Sequence, residues 1–208
     1  DPFVFDKQFL DEAERIVQCY LKGERSYPVF RMNIKDEARR ITGTREYTNK
    51  NGISRVVEET KTPRGFGGSP LAFTIVMRRY MLTLCRVIMN YPKEFETAVG
   101  LNAAGPDWDV LVNHINRFGK ERTVCGDYKA FDLTIPPEVL HAVAEILMWL
   151  VRFYNAQDLA ITQGCISNTI WPTVLFDGDI CVVSINPSGH MATTYFNCVA
   201  NSVMIRYA

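Results

Sequence analysis

Two aspartates in the C-terminal half of the chain are candidates for metal-dependent chemistry on a nucleotide. Asp127 ends a run of apolar and small residues, which predicts a short buried strand over residues 122–127. Asp132 follows across a turn. A carboxylate at a strand end can hold a hard cation such as Mg²⁺ or Mn²⁺, and Asp132 is placed to bond a sugar hydroxyl or Asn197. On spacing alone, both aspartates could instead cap a turn and the following helix.

A second segment joins a loop to polar side chains on one helix face. Ser188 and Gly189 predict a loop that can hinge, because glycine reaches backbone angles closed to other residues. Thr193 and Asn197 are four residues apart on the predicted helix that follows, so they share one face. A hydroxyl and an amide there can read a ribose 2′-hydroxyl, which both donates and accepts. The alternative is a helix cap followed by polar groups bonded to the backbone.

A basic segment lies nearer the N-terminus. Residues 31–64 contain nine Lys or Arg and five Asp or Glu, although the net charge of the whole chain is zero. Such a local excess of positive charge is typical of an anion-binding segment, and a solvated charged loop is the alternative. Arg binds phosphate in bidentate fashion and Lys as a point charge. The side chains that could contact a triphosphate are Lys35, Arg39, Lys61 and Arg64.

The elements that must position these segments are helices and short strands in mixed order, which predicts an α+β fold. Short strands and an exposed basic loop are expected in residues 31–68. Asp177 and Gly178 predict a hairpin, because Asp-Gly suits a two-residue turn. A last helix follows the loop at Ser188. The apolar spacing predicts further helices over residues 9–22, 70–90, 107–118 and 137–155.

Composition excludes several classes of protein. The chain has 208 residues, of which 47% are apolar and 22% charged, so it is expected to be globular rather than disordered. Its six cysteines are scattered without metal spacing and are expected to be reduced. Three arginines interrupt the longest apolar run, residues 71–89, which argues against a transmembrane segment.

In this order, the basic segment, the aspartate pair and the Pro-Ser-Gly loop with its helix resemble viral RNA-directed RNA polymerases. The resemblance is to the picorna-like supergroup of positive-strand RNA viruses, and it extends from about Lys35 to the end of the chain. It implies a right-hand polymerase. Residues 1–121 would then supply fingers elements with the basic motif F, and residues 122–208 a partial palm with motifs A and B.

The resemblance also implies a role for each aspartate and each loop residue. Asp127 resembles the metal ligand of motif A, and Asp132 resembles its ribose-sensing aspartate. Ser188 and Gly189 resemble the motif B loop that moves during translocation. The ribose-contacting residues of motif B correspond to Thr193 and Asn197. The residues that match motif F, which holds the incoming triphosphate, are Lys35, Arg39, Lys61 and Arg64.

The implied activity is template-directed RNA synthesis from nucleoside triphosphates with Mg²⁺ or Mn²⁺. The implied partners are RNA template and product and the rest of a viral polyprotein, and the implied location is the host cytoplasm at viral replication complexes. A reverse transcriptase is disfavoured, since those enzymes tend to carry a bulky aromatic residue where Asp132 stands. A non-catalytic RNA-binding module with a palm-like fold is the alternative from another class.

The resemblance further implies a Gly-Asp-Asp motif C with a second metal ligand after the Asn197 helix. Asp177-Gly178-Asp179 has a similar composition, but it precedes the Ser188 loop and is assigned to the hairpin tip. The chain begins without Met and stops within an apolar helical pattern. We therefore expect a fragment of a longer polypeptide that is inactive by itself, because one carboxylate cannot fix two metal ions.

Overall fold

The computed structural model describes residues 6–36, 41–60 and 64–208. The strands are β1 Val29–Ile34, β2 Ile41–Thr48, β3 Ser54–Thr60, β4 Gly65–Gly68, β5 Thr173–Phe176 and β6 Asp179–Val182. The helices are α1 Lys7–Leu21, α2 Leu71–Asn90, α3 Pro106–Ile115, α4 Phe131–Thr134, α5 Pro137–Leu150, α6 Ala156–Ile170 and α7 Thr193–Tyr207. Short 3₁₀ turns cover Asn116–Phe118 and Lys120–Arg122.

A four-stranded mixed sheet links the two ends of the chain. Its strand order is β4-β1-β5-β6, with β1 antiparallel to β4 and parallel to β5, and with β5 antiparallel to β6. Strands and helices therefore share one fold, which confirms the mixed α and β content predicted from the sequence. The sheet draws strands from both sides of residue 121, and the proposed division into fingers and palm stays a prediction.

Two turns have the geometry that their residues predict. Asp177 and Gly178 both have positive φ, 50° and 92°, at the tip of the β5–β6 hairpin, as a tight turn of the mirror-image type requires. Gly52, with φ of 76°, closes the turn between β2 and β3. The β2–β3 hairpin forms a separate two-stranded sheet, and every residue of β2 is exposed.

The core lies between the sheet and the helices that cover it. Phe30 of β1 and Phe73 of α2 are fully buried, with ring centroids 5.8 Å apart in an edge-on arrangement. Leu140 and Leu147 of α5 and Phe196 of α7 belong to the same buried cluster. Helix α7 is therefore anchored by its apolar face, which fixes the position of its first turn.

The state of the cysteines agrees with expectation. All six cysteines are free. Within the described ranges, no helix has the length and apolar character that crossing a bilayer requires.

Two local predictions are corrected, and one helix was not predicted. The helix expected over 137–155 ends at Leu150. A separate helix, α6, follows it and was not predicted. The Asn155 side chain caps α6 by accepting a hydrogen bond from the N–H of Asp158 at 2.9 Å. The buried strand expected over 122–127 is wrong, because residues 123–128 are irregular and Val124 is 93% exposed. A strand needs a neighbour for its backbone groups, and neither edge of the described sheet pairs with this segment.

Candidate functional site

The aspartate segment and the loop segment meet at one backbone hydrogen bond. The N–H of Asn186 donates to the carbonyl oxygen of Asp132 at 2.9 Å. Asn186 directly precedes the Pro-Ser-Gly loop, and Asp132 lies in the short helix α4. Residues that are more than fifty positions apart in the sequence thus lie side by side.

The side chain of Asn186 organises the loop from within. It is fully buried, and its Nδ2 donates to the carbonyl oxygen of Thr193 at 3.0 Å and to Oδ1 of Asn197 at 2.8 Å. Its Oδ1 lies 2.8 Å from Nε2 of His190. One amide therefore joins the start of the loop, its far end and the first two turns of α7.

His190 lies inside the same network. It is 6% exposed, its ring meets that of Phe196 edge-on at 5.7 Å, and its Nδ1 accepts the N–H of Ala192 at 3.3 Å. Burial lowers the pKa of the imidazole from 6.5 to about 3. The ring is therefore neutral at physiological pH, and it carries its proton on Nε2, facing Asn186.

The Thr193 hydroxyl closes the loop. Its Oγ1 lies 2.9 Å from the carbonyl oxygen of Pro187 and 2.8 Å from that of His190. Carbonyl oxygens only accept, so the hydroxyl proton is used within the loop. The sequence left open that the polar groups of this helix bond to the backbone, and the Thr193 hydroxyl proton does so. The lone pairs of its oxygen remain available to accept a hydrogen bond from a ligand.

Gly189 is required for a reason that the sequence did not predict. Its φ lies outside the left-handed region, so conformational freedom is not the explanation. A Cβ atom at this position would overlap the carbonyl oxygen of Gly67 and lie 2.8 Å from its carbonyl carbon. The loop therefore rests directly on the backbone of β4, where a glycine also faces it.

The two described members of the basic set meet at the base of the β2–β3 hairpin. The N–H of Lys35 donates to the carbonyl oxygen of Arg64 at 2.8 Å. The long stretch between them in the sequence is largely taken up by the hairpin, which returns the chain to its starting point. Arg39 and Lys61 lie outside the described residues.

Asp127 stands in an open setting. It is exposed in the irregular segment that precedes α4, and the chain then turns through Ala130, whose φ is 50°. The rings of Tyr128 and Phe131 pack at 4.5 Å between the two aspartates. Among the residues that the structure describes, no three His, Cys, Asp or Glu side chains are grouped to hold a metal ion.

Sequence reasoning missed two contributors to this arrangement, Asn186 and Gly67. Neither belongs to a local pattern that predicts its role, since each acts through a contact with a distant segment. His190 directly follows Gly189 in the sequence, and its burial within the network was not predicted. A histidine four residues after an asparagine across a Pro-Ser-Gly turn would have been the available signal for the network.

The described cavities lie away from these residues. One of about 590 Å³ lies between α3 and the end of α7 and is lined in part by Val110, Ile115 and Ile205. Another of about 410 Å³ lies between α1 and α6. Neither of these two cavities is lined by a residue of the predicted site.

Comparison with known proteins identifies the chain at the level of family. Residues 11–208 match the family of viral RNA-dependent RNA polymerases. The chain is 26% identical over 204 residues to the replicase polyprotein of Drosophila C virus, covering 94% of the chain and 11% of that protein. It is 24% identical over 207 residues to the replicase polyprotein of acute bee paralysis virus, covering 98% of the chain and 10% of that protein.

A plant virus protein is similar over a shorter stretch. The RNA1 polyprotein of cowpea mosaic virus is 26% identical over 164 residues, covering 74% of the chain and 8% of that protein. The chain thus spans about a tenth of the length of the curated relatives it matches. Because the family match covers residues 11–208, nearly the whole sequence, the chain belongs to the viral RNA-dependent RNA polymerase family.

Proposed function

We propose that a polymerase containing this chain synthesises RNA on an RNA template. The 3′-hydroxyl oxygen of the growing RNA attacks the α-phosphorus of a nucleoside triphosphate, the bond to pyrophosphate breaks, and the hydroxyl proton is released. The observation that carries the proposal is the hydrogen bond from Asn186 to Asp132, which brings the aspartate segment and the loop segment together in a chain of this polymerase family.

The distance between the basic pair, Lys35 and Arg64, and the loop at Gly189 is suitable for one nucleotide. Gly189 contacts Gly67, which is three residues along from Arg64. At about 3.3 Å per residue of strand, the loop contact lies about 10 Å from the basic pair, on the order of the length of a nucleoside triphosphate. We assign the triphosphate to Lys35, Arg39, Lys61 and Arg64, and the ribose to the loop and helix side, Asp132, Ser188, Gly189, Thr193 and Asn197.

Asp127 is suited to bind a divalent cation, for which it would supply one of several ligands. Its carboxylate is of the type that Mg²⁺ or Mn²⁺ prefers, and its exposure leaves room for a bound triphosphate. When bound, such an ion lowers the charge on the phosphates and stabilises the leaving oxygen. The described residues offer no second carboxylate beside Asp127 in a metal-binding group, so we expect the 208-residue chain alone not to incorporate nucleotides.

The wider setting follows from the same proposal. Residues 1–121 would contribute to the fingers and residues 122–208 to the palm of a right-hand polymerase. Template and product RNA would be held mainly through phosphates, so binding weakens as salt rises. The remainder of the viral polyprotein is the expected partner, and host cytoplasm at replication complexes is the expected location.

The test is primer extension on a defined RNA template by a polymerase that contains these 208 residues. With four nucleoside triphosphates we expect full-length product that requires both the template and Mg²⁺ or Mn²⁺. Omitting one nucleotide should stop the product at the matching template positions. Template-independent addition, or RNA binding without any extension, would contradict the proposal, and the second result would favour a non-catalytic module.

A further inference from the structure

The hydrogen-bond network around Asn186 determines which way the amide of Asn197 faces. Two backbone groups, one donor and one acceptor, fix the orientation of the side chains that contact them. The N–H of Ala192 can only donate, so Nδ1 of His190 accepts from it and the proton of the neutral ring is on Nε2. The carbonyl oxygen of Thr193 can only accept, so the Asn186 atom that faces it is Nδ2.

These two assignments agree with each other and extend to Asn197. Nε2–H of His190 donates to Oδ1 of Asn186 at 2.8 Å, which again places Nδ2 of Asn186 on the other side. That Nδ2 donates to Asn197 at 2.8 Å, so the Asn197 atom that faces it is Oδ1. The amide oxygen of Asn197 is thereby engaged inside the loop.

What remains for a ligand is one donor and one acceptor. No group in the described part of the chain accepts from Nδ2 of Asn197, a residue that is only partly buried. The Thr193 hydroxyl gives its proton to loop carbonyls and keeps lone pairs free. Residues four apart on a helix have Cβ atoms about 6 Å apart, so one hydroxyl can lie between these two groups.

We propose that Asn186, held by His190, is a positioning residue that makes Asn197 a hydrogen-bond donor to the ribose 2′-hydroxyl, while Thr193 accepts the proton of that hydroxyl. This inference rests on the proposed function, since it concerns the substrate of the same site. A 2′-hydroxyl satisfies both groups, and a deoxyribose satisfies neither. Asn186 itself need not touch the nucleotide.

The test is a double-mutant cycle in the polymerase that contains this chain. The variants are Asn186→Ala, Asn197→Ala and the double variant, with Asn201→Ala on the same helix as the matched control. The readout is the ratio of kcat/KM for a ribonucleotide to that for its 2′-deoxy analogue. A merely structural role would lower both rates and leave this ratio unchanged.

We expect Asn186→Ala and Asn197→Ala each to lower the ratio of ribonucleotide to deoxyribonucleotide kcat/KM about fivefold. This factor corresponds to the loss of one hydrogen bond of about 1 kcal/mol. The double variant should fall no further than Asn197→Ala, because Asn186 acts through Asn197. Asn201→Ala should keep the wild-type ratio. An unchanged ratio in Asn186→Ala, or additive losses in the double variant, would overturn the inference.

A 2′-fluoro nucleotide provides a test that needs no substitution at a buried residue. Fluorine accepts weakly and cannot donate, so the 2′-fluoro to 2′-deoxy ratio of kcat/KM reports on the Asn197 donor. We expect a ratio above one in the wild type that falls in Asn197→Ala. A wild-type ratio at or below one would show an amide oxygen facing the sugar and overturn the inference. If the wild-type polymerase extends no primer at all, the proposed function fails first.

Discussion

The loop-and-helix segment, residues 186–197, and the aspartate segment, residues 127–132, touch each other but are built in opposite ways. In the first, Asn186 is fully buried and bonded on both sides of its amide, and His190 is almost fully buried. In the second, Asp127 is exposed in irregular backbone. One side is buried and hydrogen-bonded within itself, and the other is exposed.

The difference indicates a division of labour within the site. Groups that distinguish ribose from deoxyribose must keep a fixed geometry. Buried side chains with satisfied hydrogen bonds meet this requirement. A carboxylate that holds a cation together with a bound triphosphate must remain accessible to both. We therefore expect substitutions in the loop to affect stability and selectivity, and substitutions of Asp127 to affect the rate of synthesis.

The strongest contrast is between two glycines. Gly189→Ala places a Cβ against the Gly67 backbone, whereas Gly126→Ala meets no atom within 4 Å and has no positive φ to oppose it. We expect Gly189→Ala to lower the free energy of unfolding by about 3 kcal/mol and Gly126→Ala to change it by less than about 0.5 kcal/mol. Urea denaturation followed by circular dichroism measures both. Equal effects would contradict the proposed contact between the loop and β4.

Acid should destabilise the protein through His190, which is buried in the loop. The pKa of His190 is about 3 in the folded state against 6.5 unperturbed, so the unfolded chain binds more protons between these values. Stability from this residue is therefore complete above about pH 6.5 and declines as pH falls, by about 1.4 kcal/mol per pH unit. Comparing unfolding of the wild type and His190→Gln at pH 7, 6, 5 and 4 isolates this contribution. Parallel curves would contradict it.

Asp132 connects the two segments, and its substitution should have a smaller and selective effect. We expect Asp132→Asn to lower discrimination between ribo- and deoxyribonucleotides about fivefold, because a charged acceptor that shares the proton of the ribose 2′-hydroxyl with Thr193 is lost. Primer extension with matched nucleotide pairs measures it, and Asp179→Asn, at the exposed hairpin, provides the control. If Asp132→Asn and Asn197→Ala both keep wild-type discrimination, the assignment of the ribose to this face is wrong.

The smallest expected effect is that of Asp127 on folding. Its exposed side chain and the open backbone around it imply a change in unfolding free energy below about 0.5 kcal/mol for Asp127→Ala. Thermal unfolding of the two proteins should nearly coincide. A clear loss of stability would mean that Asp127 has a structural role, and the contrast between the segments would weaken.

Local chemistry predicted those parts of the fold that depend on a few adjacent residues. The Asp177-Gly178 turn is an example, because its positive φ values follow from residue type. The strand expected before Asp127 fails for the opposite reason, since a strand depends on a partner that its own residues do not specify. The site shows the same limit: Thr193 and Asn197 follow from helix spacing, but the contact of Gly189 with Gly67 depends on the tertiary fold.

The most direct test of the central claim is template-dependent nucleotide incorporation by a polymerase that contains this chain, with Asp127 intact and with Asp127→Ala. Asp179→Ala serves as the control, since it removes an exposed carboxylate at the β5–β6 hairpin. The account predicts a loss of more than about 100-fold for Asp127→Ala, the result of losing several kcal/mol of metal-assisted stabilisation. It predicts a change of less than about twofold for Asp179→Ala. Wild-type incorporation by Asp127→Ala would contradict the account.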